Sequence, residues 1–454
     1  MVRVLFCCFL FSLAAPSAAQ EKPLPAAARV VTSESLATDY AEQLGEADRL
    51  AGLSLLWSEA RYNFANFDLV PDLDWDAHYR ATIPRVLAAE STADYYQVLR
   101  QFYAALKDGH TGVYMPQELR SRFYTRPPVG TRLIEGRVMI YQVDSNELQG
   151  KGLRTGQEIL TIDGVDVHDY AADRVLPFQS ASTPQDLDVR VYGFGLLQGD
   201  ADKPIKLGVG DADGYRQIIS VSRAGYGDDD KIENNADLFR IHNLGDGILL
   251  LDIRSFSEAS VLEAFTDKFA VISEADGLII DLRQNGGGNS DIGWGILAQL
   301  VDKPFATTRW KTRLYRPTYR AWSHDEAWSW HESQGENFEP HGKHFYAGPV
   351  AVLSGPRTYS AAEDFLAAFR QAKRGPIIGE PSGGSTGQPL HFRLPGGGIA
   401  RVCTKRDLFA DGTEFVGVGV VPDILVAETV ADLRAGRDPV VARARQNLLA
   451  SHGE

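Results

Sequence analysis

The stretch that most constrains the fold is residues 348–372, which read GPVAVLSGPRTYSAAEDFLAAFRQA. The apolar run from Val350 to Leu353 is typical of a short buried strand, and Ser354-Gly-Pro interrupts it. From Ser360 onward the apolar residues recur at helical spacing. The pattern therefore predicts a strand, a turn and a helix, with Ser360 at the N-terminus of that helix.

A serine in this position has two interpretations. Unpaired backbone N–H groups and partial positive charge at a helix N-terminus favour a serine alkoxide, and also the oxyanion that forms when the alkoxide attacks a carbonyl. Alternatively, Ser360 and Glu363 form a capping box, which is a structural helix start. This stretch alone is compatible with both.

The first 20 residues predict a signal peptide. One arginine is followed by an apolar run from Val4 to Ala15 and then by small residues at Ser17-Ala-Ala19, the pattern of a cleaved export signal. No later stretch approaches the roughly 20 apolar residues of a membrane-spanning helix. We expect an exported protein, periplasmic or extracellular. Removal of Cys7 and Cys8 would leave Cys403 alone, so the mature chain would have no internal disulfide.

The length and charge narrow the possible classes of protein. A chain of 454 residues exceeds what one hydrophobic core usually organises, which favours two or three domains. The formal net charge of -14 argues against nucleic acid as a partner. No sequence pattern calls for a cofactor.

A helical domain is predicted over residues 21–125. Residues 21–35 form a Pro- and Ala-rich lead-in, and apolar residues then recur at helical spacing as far as Leu106. The helical pattern ends in Asp108-Gly-His-Thr111, which places His110 in a turn. A histidine at such a corner is either a structural residue or a candidate general base.

Residues 126–228 are predicted to form a separate β-rich domain. Strand-like runs at Arg137–Gln142 and Glu158–Ile162 flank a glycine-containing turn, and Asp163-Gly164 leads into another strand at Val165–Val167. The order of these features resembles a PDZ domain, and PDZ-like domains bind extended peptides by strand addition. An ordinary small β-domain without a peptide ligand is the alternative. An Asp-rich linker, Gly227–Asp230, follows.

An α/β core is predicted over residues 236–440, because strand and helix patterns alternate there. Strands are expected at Gly247–Asp252 and Gly277–Leu282, and helices at Val261–Ile272 and Ile292–Leu300. The glycine triplet 286–288 follows the second strand and frees backbone N–H groups to face a ligand. Neither nucleotide-binding motif spacing is present. An oxyanion hole needs the same freedom of the backbone.

The remaining parts of the core carry weaker signals. Residues 305–347 are rich in aromatic side chains and interrupt the strand–helix alternation, which favours an insertion over the site. His341 and His344 lack the further ligands of a zinc motif, so no metal site is predicted. A hairpin is expected between Pro389 and Cys403, and Glu414 opens a run of small and β-branched residues.

Taken in order, these motifs resemble the S41 serine peptidases, the relatives of the C-terminal processing proteases, and most closely their tricorn-like branch. The resemblance is carried by Asp108-Gly-His-Thr111, the PDZ-like insert, Asp281-x-Arg-x-Asn-Gly-Gly-Gly288, Thr358-Tyr-Ser-Ala-Ala-Glu363 and Glu414-x-x-Gly-Val-Gly-x-x-Pro-Asp423. It implies a multi-domain α/β protein with a ClpP/crotonase-like core, and Ser360 as the catalytic nucleophile.

The resemblance also distinguishes two mechanisms. Processing proteases pair the serine with a lysine, and this chain has Ser385 at the aligned position. The tricorn-like branch uses a histidine and a glutamate, which here are His110 and Glu414. For the oxyanion hole the resemblance implies the backbone N–H groups of Gly287 and Ala361.

One residue departs from the tricorn-like pattern. That branch has a serine immediately before the histidine as a relay to the glutamate, and here the position is Gly109. Asp108, Thr111, a water molecule or Glu414 itself are the candidates for orienting His110.

We therefore expect an exported serine endopeptidase that acts on peptides or unfolded proteins, without metal or cofactor. The alternatives are a non-catalytic ligand-binding module on the same fold, and a hydrolase of non-peptide esters or amides.

Overall fold

The computed structural model of the chain describes residues 34–223, 238–342 and 344–451. The predicted signal peptide and the Asp-rich linker at 227–230 lie outside the described residues. The boundaries of the three predicted domains stay predictions, and each region is described below by its own elements.

The helical region begins the described chain. Its apolar residues form one buried cluster that includes the aromatic side chains of Tyr95, Tyr96, Phe102 and Tyr103, and Asp74 and Ser91 cap two of its helices. The helices are Glu46–Asn63, Trp75–Leu87, Thr92–Ala104 and Gln117–Phe123, with single 3-10 turns at Glu34–Leu36 and Phe67–Leu69.

This cluster extends beyond the helices. Leu394, Ala400, Val402 and Cys403, which lie about 300 residues further along the chain, are buried in it. Strand Gly112–Tyr114 pairs antiparallel with strand Ile399–Cys403. The turn that carries His110 is therefore held against the distant part of the chain by burial of apolar surface and by a strand ladder.

The second region is built around a five-strand antiparallel path with its own buried cluster. The strands lie in the order Val129–Ile134, Arg137–Val143, Glu158–Ile162, Ile205–Gly210 and Arg216–Val221, and Val165–Asp166 pairs with the third. The helices are Asn146–Gly150, Val167–Arg174 and Pro184–Asp188, with a 3-10 turn at Leu176–Phe178 and a π-helical stretch at Val189–Gly195.

The third region contains a six-stranded sheet. Five of its strands are parallel, in the order Ile424–Leu425, Ile377–Gly379, Val350–Ser354, Gly277–Asp281 and Ile248–Ile253, and Phe239–Asn243 adds an antiparallel edge. Alternate residues of a strand face opposite sides of the sheet. Accordingly, Leu278 and Ile280 belong to one buried cluster and Ile279 to another.

Helices cover both faces of this sheet. Those flanking the larger cluster are Ser260–Asp267, Phe269–Ser273, Ser290–Leu297 and Ala361–Gln371, and the other face carries Pro439–Ser451. The short helix Val430–Ala435 packs instead on the second region, where Val430 and Leu433 contact Ile134 and Met139. The fold class predicted from the sequence, a multi-domain α/β protein, is confirmed.

Smaller sheets complete the third region. The predicted hairpin forms from strands Pro389–Arg393 and Ile399–Cys403. Within the aromatic insertion, strand Arg309–Tyr315 pairs with Trp328–Ser333 and with Lys405–Leu408, and Phe305–Ala306 pairs with Asn337–Phe338. Its helices are Pro317–Ala321 and the 3-10 turn Asp325–Ala327. None of the helices among the described residues combines the length and apolarity needed to cross a membrane.

Candidate active site

Ser360 lies between strand Val350–Ser354 and helix Ala361–Gln371, as the sequence pattern predicted. Its backbone has φ of 55° and ψ of -124°, a region that non-glycine residues seldom occupy, and strained backbone of this kind is concentrated at functional sites. We read the strain as the means by which a sharp turn presents the serine hydroxyl at the helix N-terminus.

His110 is brought to Ser360 from 250 residues away. The distance from His110 Nε2 to Ser360 Oγ is 3.1 Å, which is within the reach required of a general base and its nucleophile. His110 is 6 % exposed, and its ring stacks on Tyr359 with centroids 5.2 Å apart. The two most important residues predicted from the sequence therefore meet.

The other ring nitrogen of His110 contacts Ser385. His110 Nδ1 lies 2.9 Å from Ser385 Oγ, and Ser385 is fully buried. For Nε2 to accept the proton of Ser360, the neutral ring must carry its own proton on Nδ1, where it donates to Ser385. Ser385, which the sequence comparison by motif predicts at the position of a lysine, thus contacts the ring nitrogen opposite the nucleophile.

Glu363 braces the segments that carry both serines. Its carboxylate is fully buried, and each oxygen accepts two hydrogen bonds. Oε1 accepts from Ser382 Oγ at 2.6 Å and from the N–H of Gly384 at 2.7 Å, while Oε2 accepts from the N–H groups of Ser385 and Ser360 at 3.0 and 3.1 Å. Burial raises the pKa of Glu363 to about 7, against these four hydrogen bonds.

The carboxylate half of the predicted capping box therefore forms. It does not exclude the catalytic interpretation, because the hydroxyl of Ser360 lies within reach of His110. The backbone N–H of Ser360 takes part in the helix cap, and its hydroxyl faces His110. Both interpretations left open by the sequence therefore apply to this residue.

His110 is a weak base in this environment. Burial, followed by the positive charges of Arg401, Arg190 and Lys405, lowers the pKa of its ring to about 3. Its backbone N–H donates to Asp108 Oδ1 at 2.9 Å. The ring is consequently neutral near pH 7, which is the form that accepts a proton.

The structure explains why glycine precedes the histidine. A Cβ atom at Gly109 would lie 1.7 Å from the hydroxyl of Tyr359 and less than 3 Å from side-chain atoms of Arg190 and Asp186. The space that a serine would need is therefore filled. Ser385 contacts His110 instead of a residue at this position.

Of the two N–H groups predicted to form the oxyanion hole, the structure leaves one without an acceptor among the described residues. Ala361 is the first residue of its helix, so its N–H has no acceptor within the helix. Gly287 lies against the nucleophile, since a Cβ atom there would come within 2.7 Å of Ser360 Cβ. However, the N–H of Gly287 donates to Asn285 Oδ1 at 2.9 Å. Ala361 is therefore the donor available in this conformation.

Glu414 does not contact His110. Its carboxylate, with 39 % of the side chain exposed, pairs with Lys311 and Arg406. It reaches the histidine turn only through intermediates: Arg406 Nε donates to Asn66 Oδ1 at 2.8 Å, and Asn66 Nδ2 donates to Asp108 Oδ2 at 2.8 Å. Glu414, one of the four candidates for orienting the ring, does not do so directly, because Ser385 occupies the Nδ1 side.

The structure suggests two residues whose part in the site was not foreseen. Ser385 was identified in the sequence only as the replacement of a lysine, and Glu363 only as a capping residue. Glu363 lies three residues after the nucleophile, and Ser385 lies in a glycine-rich segment. These neighbourhoods are the signal that the sequence offers, and neither contact can be predicted from residue spacing. As for metals, the described residues hold no group of three or more His, Cys, Asp or Glu side chains arranged around one point.

Comparison with known proteins finds a family match for part of the chain, which includes Ser360 but not His110. Residues 247–426 match the model of peptidase family S41. Over 99 residues the chain is 32% identical to candidate tricorn protease homolog 2 of Streptomyces coelicolor. That match covers 21% of this chain and 8% of the relative. The similarity is therefore limited to one segment of a much longer relative.

Two solved structures share the fold over most of the chain. Mature CPAF in complex with lactacystin is similar with a TM-score of 0.68 and 17% identity, over 86% of this chain and 95% of CPAF. A candidate peptidase from Parabacteroides merdae is similar with a TM-score of 0.53 and 19% identity, over 90% of this chain and 98% of that protein. The match to the S41 model confirms the family resemblance read from the motifs, and the PDZ-like domain stays a prediction.

Proposed function

Since residues 247–426 form a peptidase domain of family S41, making the chain a serine-type peptidase, we propose that it is an endopeptidase that cleaves peptides or unfolded proteins. Ser360 is the nucleophile and His110 the general base. The observation that most supports this assignment is the 3.1 Å distance between His110 Nε2 and Ser360 Oγ, a contact that two remote segments of the chain form.

The reaction follows from the geometry. His110 Nε2 takes the proton of Ser360 Oγ while the oxygen attacks the carbonyl carbon of the peptide bond. The oxyanion that develops accepts a hydrogen bond from the N–H of Ala361, a contribution typically worth about 3 kcal/mol. His110 then gives its proton to the leaving amine, and water releases the acyl group by the same steps in reverse order.

Ser385 and Glu363 act in this scheme as positioning residues. Ser385 holds the tautomer of His110 that leaves Nε2 free to accept. Glu363 ties the backbone of Ser385 to the backbone of Ser360. The distance between base and nucleophile thus depends on one buried carboxylate.

The second region supplies a surface for an extended chain. Strand Val129–Ile134 stands at one edge of its sheet, and edge strands bind peptides by strand addition. A cavity of about 480 Å³ lies between this strand and the core, with Arg132, Gly193 and Arg357 among its lining residues. This arrangement supports a PDZ-like role in gripping or gating substrate. The export pattern at the N-terminus supports action in the periplasm or outside the cell.

The test is Ser360→Ala in the purified protein. Hydrolysis of a mixed peptide library should fall by at least about 10⁴-fold, with the thermal unfolding midpoint unchanged within a few degrees. The matched control is Ser257→Ala, an exposed serine whose hydroxyl accepts only from Ser255, which should keep full activity. Hydrolysis that survives in Ser360→Ala would refute the assignment.

A further inference from the structure

A second cavity lies directly behind the turn of His110. It has a volume of about 260 Å³ and is bounded by all three regions: the end of helix Thr92–Ala104 and strand Gly112–Tyr114, the segment from Phe178 to Gln198, and Arg401 of the core hairpin. Its charged lining residues are Arg100, Arg190 and Arg401, and no carboxylate side chain lines it. The cavity is therefore cationic.

The three guanidinium groups differ in how they are paired. Arg190 is neutralised by Asp186 and also donates to the hydroxyl of Tyr359 at 3.0 Å. Arg401 Nη2 donates to the carbonyl oxygen of Gly109 at 3.0 Å, while its Nε is buried without a partner. Arg100 donates to Gln97 Oε1. Within the described part of the chain neither Arg100 nor Arg401 forms an ion pair with a carboxylate.

The walls of the cavity are aromatic as well as charged. The guanidinium of Arg100 lies over the rings of Tyr124 and Phe178, at 5.3 Å from each centroid, and that of Arg401 lies 5.4 Å from the centroid of Tyr114. Stacking of this kind fixes the plane of a guanidinium. A fixed guanidinium that lacks a carboxylate partner keeps N–H donors whose spacing matches the two oxygens of a carboxylate.

We propose that this cavity binds a carboxylate group between Arg100 and Arg401, and that the bound group strengthens His110 as a base. The second half of this inference rests on the proposed function, whereas the binding itself does not. The carboxylate comes either from a small free acid or from an acidic group of the peptide substrate.

The link to catalysis runs through Arg401 and the backbone of Gly109. Arg401 contacts the residue that precedes His110, and its charge is the largest electrostatic contribution to the lowered pKa of that ring after burial. The other charged groups acting on the ring are Arg190 and Lys405. A carboxylate against Arg401 offsets positive charge near the ring and raises the pKa of His110. His110 then accepts the proton of Ser360 more readily.

Binding is measured first on Ser360→Ala protein, so that no cleavage occurs. Propionate is compared with propionamide, and a hexapeptide with a free C-terminal carboxylate is compared with the same peptide as its amide, by calorimetry at constant ionic strength. At least one charged probe should bind more tightly than its neutral counterpart. Arg100→Gln should weaken that charged probe about tenfold, as expected for one charge-assisted hydrogen bond, and leave the neutral one unchanged.

The control is Arg85→Gln. Arg85 lies on the neighbouring helix, donates to Gln101 much as Arg100 donates to Gln97, and does not line the cavity. It should change neither probe. Preference for propionate identifies a free acid as the source, and preference for the acidic peptide alone identifies the substrate. Equal binding of charged and neutral probes, or a preference that survives both Arg100→Gln and Arg401→Gln, overturns the proposal.

The effect on His110 is measured separately on active protein. With an amidated peptide as substrate, propionate should raise kcat/KM of the wild-type protein relative to its own value without propionate. Arg100→Gln should abolish this relative increase, and Arg85→Gln should keep it. If no peptide is hydrolysed under any condition, the proposed function fails, and the calorimetric result still decides whether the cavity binds carboxylates.

Discussion

The carboxylates of Glu414 and Glu363 differ in how they relate to the site. The sequence motif indicated Glu414 as the residue that supports catalysis, whereas the structure places Glu363 against the reacting segments. Glu414 lies in a motif that resembles one of the tricorn-like peptidases, yet its side chain is 39 % exposed and pairs with Lys311 and Arg406. Glu363 looked like a helix cap, yet it is fully buried and accepts from the backbone of Ser360 and Ser385. Because Glu363 directly contacts the backbone of both serines, it is the better candidate for supporting catalysis.

The difference has an energetic basis. A half-exposed ion pair contributes little to stability, because solvent screens it. A buried carboxylate with four donors is costly to lose, because each donor left unpaired costs roughly 1–3 kcal/mol. Glu414 acts on His110 only through Arg406, Asn66 and Asp108. Substitutions at the two sites should therefore differ strongly in effect.

The largest effect is expected for Glu363→Gln. In either orientation the amide NH₂ would face donors: the hydroxyl of Ser382 and the N–H of Gly384 on one side, or the N–H groups of Ser385 and Ser360 on the other. Stability should fall by about 3 kcal/mol and kcat/KM by on the order of 100-fold, measured by urea unfolding and by peptide hydrolysis below the unfolding transition. A variant with wild-type stability and activity would show that Glu363 does not position Ser360 and Ser385.

Ser385→Ala should have the next largest effect. His110 Nδ1 would lose its partner within a buried site, and the wrong tautomer and ring orientation would become accessible. We expect kcat to fall by about tenfold or more, with KM little changed. The control is Ser290→Ala, since the hydroxyl of Ser290 donates to the buried carboxylate of Asp364 and does not contact His110. Equal loss in both variants would contradict an orienting role for Ser385.

The pH dependence separates Glu363 from His110. Burial and nearby cations lower the pKa of His110 to about 3, so the ring stays neutral and active down to that pH. Burial raises the pKa of Glu363 to about 7, so activity should decline as the pH falls through 7 and this carboxylate takes up a proton.

In Glu363→Gln the decline of kcat/KM near pH 7 should disappear, although the residual activity is low. Asp364→Asn is the control, because burial and the charge of Asp407 raise the pKa of Asp364 to about 7 as well, and its side chain faces Ser290. If the decline near pH 7 persists in Glu363→Gln, His110 or another group sets it.

The smallest effect is expected for Glu414→Gln. Loss of one charge from a partly exposed cluster should lower kcat/KM about threefold at most, through a looser Arg406 and Asn66. The measurement is a Michaelis–Menten comparison with wild type at two salt concentrations, since the difference should shrink as salt screens the cluster. A loss of 100-fold or more would show that Glu414 approaches His110 in the working enzyme and would reverse the comparison.

The sequence was most informative where chemistry is local. The strand, turn and helix around Ser360 could be predicted because apolar spacing reports which face is buried, and Ala361 follows from the nucleophile. The partner of Nδ1 could not, since Ser385 meets His110 across 275 residues. Nor could the role of Gly109, because only the folded chain shows that Tyr359 fills the space beside it. The contact of Asn285 with the N–H of Gly287 was hidden for the same reason.

The most direct test of the central claim, that His110 activates Ser360, is the site and extent of labelling by a serine-reactive phosphonate, measured by peptide mass spectrometry. We expect a single adduct on Ser360 in the wild-type protein and none in folded His110→Ala. An adduct on another serine, or full labelling of Ser360 without His110, would contradict the claim.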